Sequence, residues 1–375
     1  MWRNTSIARY IWRQRPLASR CRQFASSAAE ASKPGTALFF PGAGSHKIGM
    51  TKAWQEAFPR TVKPFLEEVD ETLGFSLTKI IEGGLNETLQ KTSNAQPAIF
   101  ATSIMVLKVL EEDFDFRTSE RIDFTLGHSL GEFAALVASG YMSFQDALRI
   151  VRRRGEVFEE AARQARQKYG DDLGMVALVC ETHLFSELLE DIRKFLGTKG
   201  TGHSMKDPTP DHGSPIENVV IANINSNNQV VLSGSLPMIK KLLRRLREFG
   251  GHDPRAVTLR VECPYHSPMM QPAADVVAKY LASNDVIKFP GIIPCISNVT
   301  GMPFTYAKTL LAHTCFTDIA QVERAIARPG STRGCRNSKM VEVHTVPGPG
   351  HESTALAWSR SKQGWEEPNW QVHRS

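Results

Sequence analysis

The chain has 375 residues, of which 41% are hydrophobic and 22% charged, and this suits a large globular domain with a smaller one. Its net charge of +6 arises before Glu30, where six arginines stand without a lysine or an acid. Without those six arginines the chain has 39 basic and 39 acidic residues, so the remainder is formally neutral and we exclude nucleic acid as a partner.

The arginine-rich, acid-poor start of the chain resembles a mitochondrial presequence, an amphipathic targeting segment. Arg22-Gln23-Phe24 before Ala25-Ser26-Ser27 is similar to a matrix-peptidase cleavage site after Phe24. The alternative is a basic arm with no targeting role. We therefore predict a transit peptide over residues 1–24, a linker over 25–35 and a mature protein in the mitochondrial matrix.

The cysteines and the apolar runs exclude several classes of protein. Six cysteines lie far apart, and none forms a Cys-x-x-Cys pair. This argues against a zinc site and a disulfide scaffold, so we predict reduced thiols and no metal. The best apolar run, 95–107, is interrupted by Gln96, and the sequence therefore predicts no membrane span.

The first predicted element is a buried strand from Thr36 to Phe40, which leads into the glycine loop Pro41-Gly42-Ala43-Gly44. A second strand pattern ends in Gly127-His128-Ser129-Leu130-Gly131, and helical residues follow. A nucleophile elbow has this form, because a serine at the apex of a sharp turn needs small residues two positions away on either side. The strand and helix around the motif weigh against a chance match. We expect His128 to point away from the elbow.

Ser143 opens a capping box, and the helix that follows is predicted to run to about Tyr169. Its apolar stripe carries Arg154 between Val151 and Phe158. An arginine on a buried stripe is costly unless an anion meets it, so this position indicates an anion-binding site. The alternatives are a structural ion pair and a side chain that reaches out to solvent.

Residues 174–261 show a β-α-β-β-α-β order, which suggests a small ferredoxin-like insert. The chain then returns to the main domain, where Ile292 to Asn298 is predicted to be another buried strand. After about Ala327 the sequence loses periodicity, and we predict that 328–375 is disordered or aberrant.

A serine hydroxyl attacks a carbonyl only when a positioned base takes its proton. His266, flanked by prolines where the insert ends, is the best candidate, although alone it could equally be an ordinary turn histidine. The oxyanion formed by the attack needs two donors. We expect the backbone N–H of Leu130 from the elbow and that of Ala43 from the glycine loop.

Five motifs stand in the order found in malonyl-CoA:acyl carrier protein transacylases. They are Phe40-Pro41-Gly42-Ala43-Gly44, Asn94-Ala95-Gln96-Pro97-Ala98, Gly127 to Glu132, Arg154-Gly155 and Tyr265-His266-Ser267. The chain therefore resembles this acyltransferase family over roughly residues 36 to 327. The resemblance implies an α/β fold, with an α/β-hydrolase-like large subdomain over 36–173 and 262–327 and a ferredoxin-like insert over 174–261.

The resemblance also implies the roles of the site residues. Ser129 would be the acylated nucleophile, His266 its base, and Arg154 the partner of the malonyl carboxylate. Gln96 belongs to the substrate-pocket motif. Ala43 stands where the family usually has glutamine, which leaves its backbone role intact.

Two further positions follow from the same resemblance. His313 corresponds to the residue that helps to orient the catalytic histidine, where glutamine is commoner. Tyr265, just before the base, would limit substituents on the malonyl α-carbon.

The family closes with a strand and a Gly-Pro-Gly turn. In this chain only 340–343 and 347–351 are similar to these two features, with extra residues between them.

The implied activity is transfer of malonyl from coenzyme A to the phosphopantetheine thiol of acyl carrier protein, for fatty acid synthesis. The coenzyme A thioester is a substrate, and no bound cofactor is implied. Acidic carrier proteins could dock on one basic helix of the insert, whose other interpretation is a solvated face. Its cations are Lys240, Lys241, Arg244, Arg245 and Arg247. Two alternatives stay open: a serine hydrolase or thioesterase, and an inactive binding protein on the same fold.

Overall fold

The computed structural model describes most of the chain from Thr36 to Thr305 and three strands beyond it. The described residues are 36–170, 172–197, 217–259, 261, 263–283, 286–298, 301–305, 339–342, 357–361 and 364–366. The predicted presequence and linker, and His313, lie outside these residues.

The first sheet has five strands in the order β2-β1-β7-β8-β9. These strands are β1 (Thr36–Phe40), β2 (Phe124–Gly127), β7 (Lys339–Glu342), β8 (Ala357–Ser361) and β9 (Gly364–Glu366). β1 runs parallel to both β2 and β7, and Phe40 pairs with Gly127 at the carboxyl ends of β1 and β2. The loop that carries Ala43 and the turn that carries Ser129 therefore leave the sheet side by side, as ligand-binding loops of open α/β sheets do.

The helices are numbered in sequence order, and α9 and α10 belong to the second sheet described below. Within the described residues they are α1 (Lys52–Ala57), α2 (Pro59–Leu73), α3 (Leu77–Gly83), α4 (Asn86–Gln90), α5 (Thr92–Asp113), α6 (Thr118–Arg121), α7 (Gly131–Ala138), α8 (Phe144–Tyr169), α9 (Phe185–Phe195), α10 (Leu236–Phe249) and α11 (Gln271–Ser283). The first turn of α5 and the middle of α8 are very close, since a Cβ on Gly155 would lie 2.6 Å from the Ser93 Cα. This contact places Gln96 of α5 beside Arg154 of α8.

The long helix α8 begins and ends as its sequence predicts. The Ser143 hydroxyl accepts a hydrogen bond from the Asp146 N–H at 3.1 Å, which caps the first turn. The helix ends before Gly170, whose φ of +97° disfavours any residue with a side chain. Arg154 lies on the buried side of the helix with the apolar stripe, so the predicted placement of this cation is confirmed.

The second sheet is antiparallel, in the order β4-β5-β3-β6. Its strands are β3 (Leu173–Val179), β4 (Val219–Ser226), β5 (Gln229–Ser235) and β6 (Arg255–Thr258). With α9 after β3 and α10 after β5, the element order is β-α-β-β-α-β. Side chains alternate along β3: Val176 and Leu178 pack in the core under α9 and α10, whereas Met175 and Ala177 pack with Phe158 of α8.

The prediction of a strand from Ile292 to Asn298 is wrong. The structure has two isolated bridges in this part of the chain, Thr125 with Cys295 and Ile296 with Pro303. The segment follows β2 briefly, because the Thr125 N–H donates to the Pro294 carbonyl at 3.0 Å and the Ile296 N–H donates to the Thr125 carbonyl at 2.8 Å. This short pairing directs Asn298 toward the elbow.

Strands β7, β8 and β9 fall within 328–375, where the sequence predicts a disordered or aberrant tail. β7 pairs with β1 over four residues, and its Met340-Val341-Glu342 belongs to the stretch that is similar to the family's closing strand. A strand of three to five residues has too short a pattern to be predicted from periodicity. The other residues of this segment lie outside the described ones.

Candidate active site

The predicted nucleophile elbow is present. β2 ends at Gly127, Ser129 has a φ of +52°, and α7 begins at Gly131. A Cβ on Gly127 would lie 2.1 Å from the Gly131 carbonyl group, so the turn cannot close around a larger residue. A positive φ is costly for serine and persists only where the surrounding structure enforces it. The elbow therefore presents the Ser129 hydroxyl from a fixed, strained position.

His266 is the partner of this hydroxyl. Its Nε2 lies 3.1 Å from the Ser129 Oγ, although 137 residues separate the two in sequence. Burial lowers the pKa of His266 well below its usual value, and the nearby charge of Arg154 and the neighbouring imidazole of His128 act in the same direction. The imidazole is therefore neutral near pH 7 and able to accept a proton.

The other ring nitrogen of His266 is buried, and no described residue binds it. A neutral imidazole that accepts at Nε2 carries its proton on Nδ1, and this N–H needs an acceptor. His313, the residue that the resemblance assigns to this task, lies outside the described residues.

The two predicted oxyanion donors belong to a residue of the cavity wall and to the residue after the nucleophile. Ala43 lines the same cavity as Ser129 and His266, and Leu130 follows the nucleophile directly. Neither backbone N–H donates to another residue in the described part of the chain. Both groups are therefore available to an oxyanion.

Asn298 and Glu132 hold the elbow, and sequence reasoning missed both. The Asn298 amide oxygen accepts from the Ser129 N–H at 2.8 Å, while its Nδ2 donates to the Gly127 carbonyl at 2.6 Å. The Asn298 N–H in turn donates to Glu132 Oε1 at 3.0 Å. One side chain thus fixes the backbone on both sides of the turn. A polar residue at the end of an apolar run was the only local signal.

Burial raises the pKa of Glu132 to about 8, against the opposing effects of the Asn298 hydrogen bond and the Arg154 charge. Between the ordinary pKa of 4.5 and this value, the unfolded chain releases a proton that the folded chain keeps. The free energy of unfolding therefore falls as pH rises through this window, by up to about 1.4 kcal/mol per pH unit.

Glu132→Gln should remove this contribution to the pH dependence of stability. As pH rises from about 5.5 to 7.5, we expect the free energy of unfolding of the variant to increase relative to that of the parent protein, by on the order of 1–3 kcal/mol. Urea denaturation of both proteins at several pH values measures the difference. Parallel pH profiles would contradict a protonated Glu132 in the folded state.

Arg154 is a buried cation in the wall of the cavity. Its side chain donates to the Gln96 amide oxygen, and its guanidinium lies over the Phe158 ring, 4.5 Å from the centroid. The residue is only 7% exposed, yet it lines the cavity that contains Ser129. A cation in this position can pair with an acidic group that enters the cavity.

Tyr265 closes the wall next to this cation. Its hydroxyl bonds to the Thr92 hydroxyl, and its ring meets Phe158 edge-on with centroids 5.4 Å apart. Burial raises the pKa of Tyr265, so the phenol stays neutral. The ring is a fixed apolar surface beside His266.

The expectation that His128 points away from the elbow is wrong. His128 lines the cavity together with residues of β4 from the second sheet. Its Nε2 is 3.0 Å from Asn225 Oδ1 and 3.1 Å from Asn223 Nδ2. The cavity has a volume of about 160 Å³. Residues from the loops of the first sheet and from the second sheet both line it.

Two further observations concern metal ions and membranes. Among the described residues no group of three His, Cys, Asp or Glu side chains is arranged to hold a metal ion. Within the same residues no helix is long and apolar enough to cross a bilayer.

Comparison with known proteins places the chain among acyl transferases. A family model described as "Acyl transferase domain" matches residues 38–185. The malonyl CoA-acyl carrier protein transacylase of Bacillus subtilis (strain 168) is 36% identical over 264 residues, which make up 70% of this chain and 72% of that protein. The chain belongs to the malonyl CoA-acyl carrier protein transacylase family.

Solved structures agree with this assignment. A crystal structure of MCAT from Streptococcus pneumoniae gives a TM-score of 0.65 at 26% identity and covers 84% of this chain and 89% of that one. An acyl-carrier-protein-S-malonyltransferase from Bartonella henselae gives a TM-score of 0.63 at 29% identity, covering 83% and 88%. The predicted α/β fold and the resemblance based on five motifs are confirmed.

Proposed function

We propose that this protein transfers a malonyl group from malonyl-CoA to the phosphopantetheine thiol of acyl carrier protein, for fatty acid synthesis. One observation carries the proposal. The Ser129 Oγ and the His266 Nε2 are 3.1 Å apart, and both residues line the same cavity as the buried Arg154. A nucleophile with its base and a cation for the acyl carboxylate are the parts that malonyl transfer requires.

In the first half-reaction the Ser129 Oγ attacks the thioester carbonyl while His266 Nε2 takes the hydroxyl proton. The carbonyl oxygen becomes an oxyanion, which the N–H groups of Ala43 and Leu130 stabilise. The intermediate collapses when the carbon–sulfur bond breaks. The coenzyme A sulfur leaves with the proton from His266, and malonyl stays on Ser129 as an ester.

The second half-reaction reverses these roles. His266 takes the proton of the carrier protein thiol, and the sulfur attacks the malonyl ester carbonyl. The Ser129 oxygen leaves and recovers its proton from His266. Every step balances with two side chains, two backbone donors and the two thiols, so the proposal requires no bound cofactor.

Three residues determine which acyl group is held. Arg154 pairs with the malonyl carboxylate, and Gln96 holds the guanidinium in place through its amide oxygen. Tyr265 limits bulk at the α-carbon, because its hydroxyl is tied to Thr92 and its ring cannot swing aside. A serine hydrolase has no need of a buried cation here, and this favours the transferase.

Intact-mass spectrometry of the protein from residue 25 onward tests the proposal. After mixing with malonyl-CoA we expect a malonyl adduct, which moves to holo acyl carrier protein when that is added. Rapid release of free malonate would indicate a hydrolase. A folded protein that forms no adduct would indicate a binding protein.

A carrier protein could dock on the exposed cations of α10, where Lys240, Lys241, Arg244 and Arg247 are exposed and Arg245 is partly exposed. Arg247 also pairs with Asp253 at 2.6 Å. This helix packs on the face of the second sheet opposite the cavity, so the carrier's long arm has to pass the sheet edge. The basic face complements an acidic partner.

Charge reversal at Arg244 and Arg245 should raise the KM for the carrier protein about threefold to tenfold and leave the KM for malonyl-CoA unchanged. Steady-state kinetics with each substrate varied in turn measures this. Reversal of the exposed Arg163 on α8 is the matched control. An unchanged carrier KM would remove the docking role of α10.

We further propose that residues 1–24 are a mitochondrial presequence and that the mature protein works in the matrix. The support is the six arginines without an acid before Glu30. N-terminal sequencing of the protein recovered from mitochondria should start at Ala25. An intact N-terminus on protein found outside mitochondria would contradict it.

A further inference from the structure

One side of α8 holds the first turn of α5 next to the candidate active site. Arg152, Gly155 and Glu159 stand three and four residues apart, so they share this side of the helix. Gly155 allows a close approach, since a Cβ there would lie 2.6 Å from both the Thr92 carbonyl oxygen and the Ser93 Cα. The two charged residues therefore lie on either side of a close contact between the helices.

Glu159 completes the beginning of α5. The first N–H groups of a helix have no partner within the helix, and a side chain commonly supplies one. Among the described residues Lys91, which precedes the helix, makes no capping bond with its side chain, whereas Glu159 Oε1 accepts from the Ser93 N–H at 2.7 Å. A carboxylate in this place also meets the positive end of the helix. Glu159 is thus a cap that another helix supplies.

Arg152 supplies a second bond that α5 cannot make for itself. The Ser93 carbonyl would ordinarily accept from the residue four positions on, but that residue is Pro97, which has no N–H. Arg152 Nη1 donates to this carbonyl at 2.8 Å and to Asn94 Oδ1 at 2.7 Å. Both backbone polar groups of Ser93 are therefore bound by side chains of α8.

The turn that α8 holds in this way carries two groups at the acyl end of the cavity. The Thr92 hydroxyl bonds to the Tyr265 hydroxyl, and the Gln96 amide oxygen accepts from Arg154. Gln96 Nε2 donates to Thr92 Oγ1 at 3.4 Å, so the amide oxygen is the atom that faces Arg154. The direction of the guanidinium thus depends on where the first turn of α5 lies.

We propose that Arg152 and Glu159 are positioning residues for the acyl group and that they act on Arg154 through Gln96. They fix the first turn of α5, and this turn directs the guanidinium so that it can bind a malonyl carboxylate with two parallel hydrogen bonds. Both positioning residues are described by the structure, and neither lines the cavity, so their effect on selectivity needs no contact with the substrate. The inference rests on the proposed function and adds residues that support its specificity.

Glu159→Ala should lower kcat/KM for malonyl-CoA about fivefold to fiftyfold and change that for acetyl-CoA less than about twofold, because only malonyl needs the directed guanidinium. Glu159→Gln keeps an acceptor oxygen and should restore most of the selectivity. Rates of acyl-enzyme formation with the two thioesters measure both effects. Glu160→Ala, which removes the neighbouring exposed carboxylate that pairs with Arg163, is the matched control.

A second measurement shows whether the effect passes through Gln96. In a Gln96→Ala background, Glu159→Ala should change the malonyl rate less than about twofold, because the group that it positions is already gone. If Glu159→Ala does not fold, Arg152→Met, which lacks the donors to α5, is compared in the same way.

An unchanged ratio of malonyl to acetyl rates in Glu159→Ala, or an undiminished loss in the Gln96→Ala background, would overturn the inference. Either result would mean that the contacts between α8 and α5 serve stability alone. A parent protein that malonyl-CoA does not acylate would instead overturn the proposed function.

Discussion

Ser129→Ala should abolish the covalent malonyl intermediate and lower malonyl transfer on the order of 10⁴-fold or more, because no other hydroxyl occupies the strained apex. His266→Ala should lower the acylation rate about 10²- to 10⁴-fold, since the hydroxyl keeps its position 3.1 Å away but loses its base. Both proteins should fold, because each change only shortens a side chain and neither residue belongs to the apolar core clusters.

Rapid-quench measurement of acyl-enzyme formation tests both variants, with Ser226→Ala on β4 as a control that should behave like the parent protein. Because serine and histidine act as a unit, the double variant should be little worse than Ser129→Ala alone. A malonyl adduct that persists in Ser129→Ala would show that another residue is the nucleophile. Full activity of His266→Ala would mean that a different base serves the elbow.

The sequence predicts the reactive groups because their signals are local. Gly127 and Gly131 indicate the turn around Ser129, and the capped helix after Ser143 shows which face carries Arg154. These features follow from steric limits at a sharp turn and from the 3.6-residue period of a helix. Each is readable within a few residues.

The support of the elbow could not be predicted in this way. Asn298 reaches the Ser129 backbone across 169 residues, through a segment that only bridges β2 instead of forming a strand. The position of His128 depends on β4, which belongs to the other sheet. Such contacts arise from tertiary packing, and no periodicity within either partner encodes them.

Arg154→Ala should lower kcat/KM for malonyl-CoA about 10²- to 10³-fold and change that for acetyl-CoA far less. The guanidinium is 7% exposed, so a malonyl carboxylate that enters the cavity without it is a buried charge with no partner. For Arg154→Lys we expect a kcat/KM for malonyl-CoA between that of the parent protein and that of Arg154→Ala. An ammonium keeps the charge but cannot bind the carboxylate with two parallel hydrogen bonds. Arg153→Ala, whose side chain is 53% exposed on the same helix, is the matched control.

The pH profile separates this role from a merely structural one. The positive charge of Arg154 is one cause of the lowered pKa of His266, so its removal should raise that pKa. A histidine with a higher pKa becomes protonated at a higher pH, and the acid limb of the rate profile should move upward for both substrates. Selectivity for malonyl and the acid limb should therefore change together in Arg154→Ala. Equal losses for the malonyl and acetyl groups would contradict recognition of the carboxylate by Arg154.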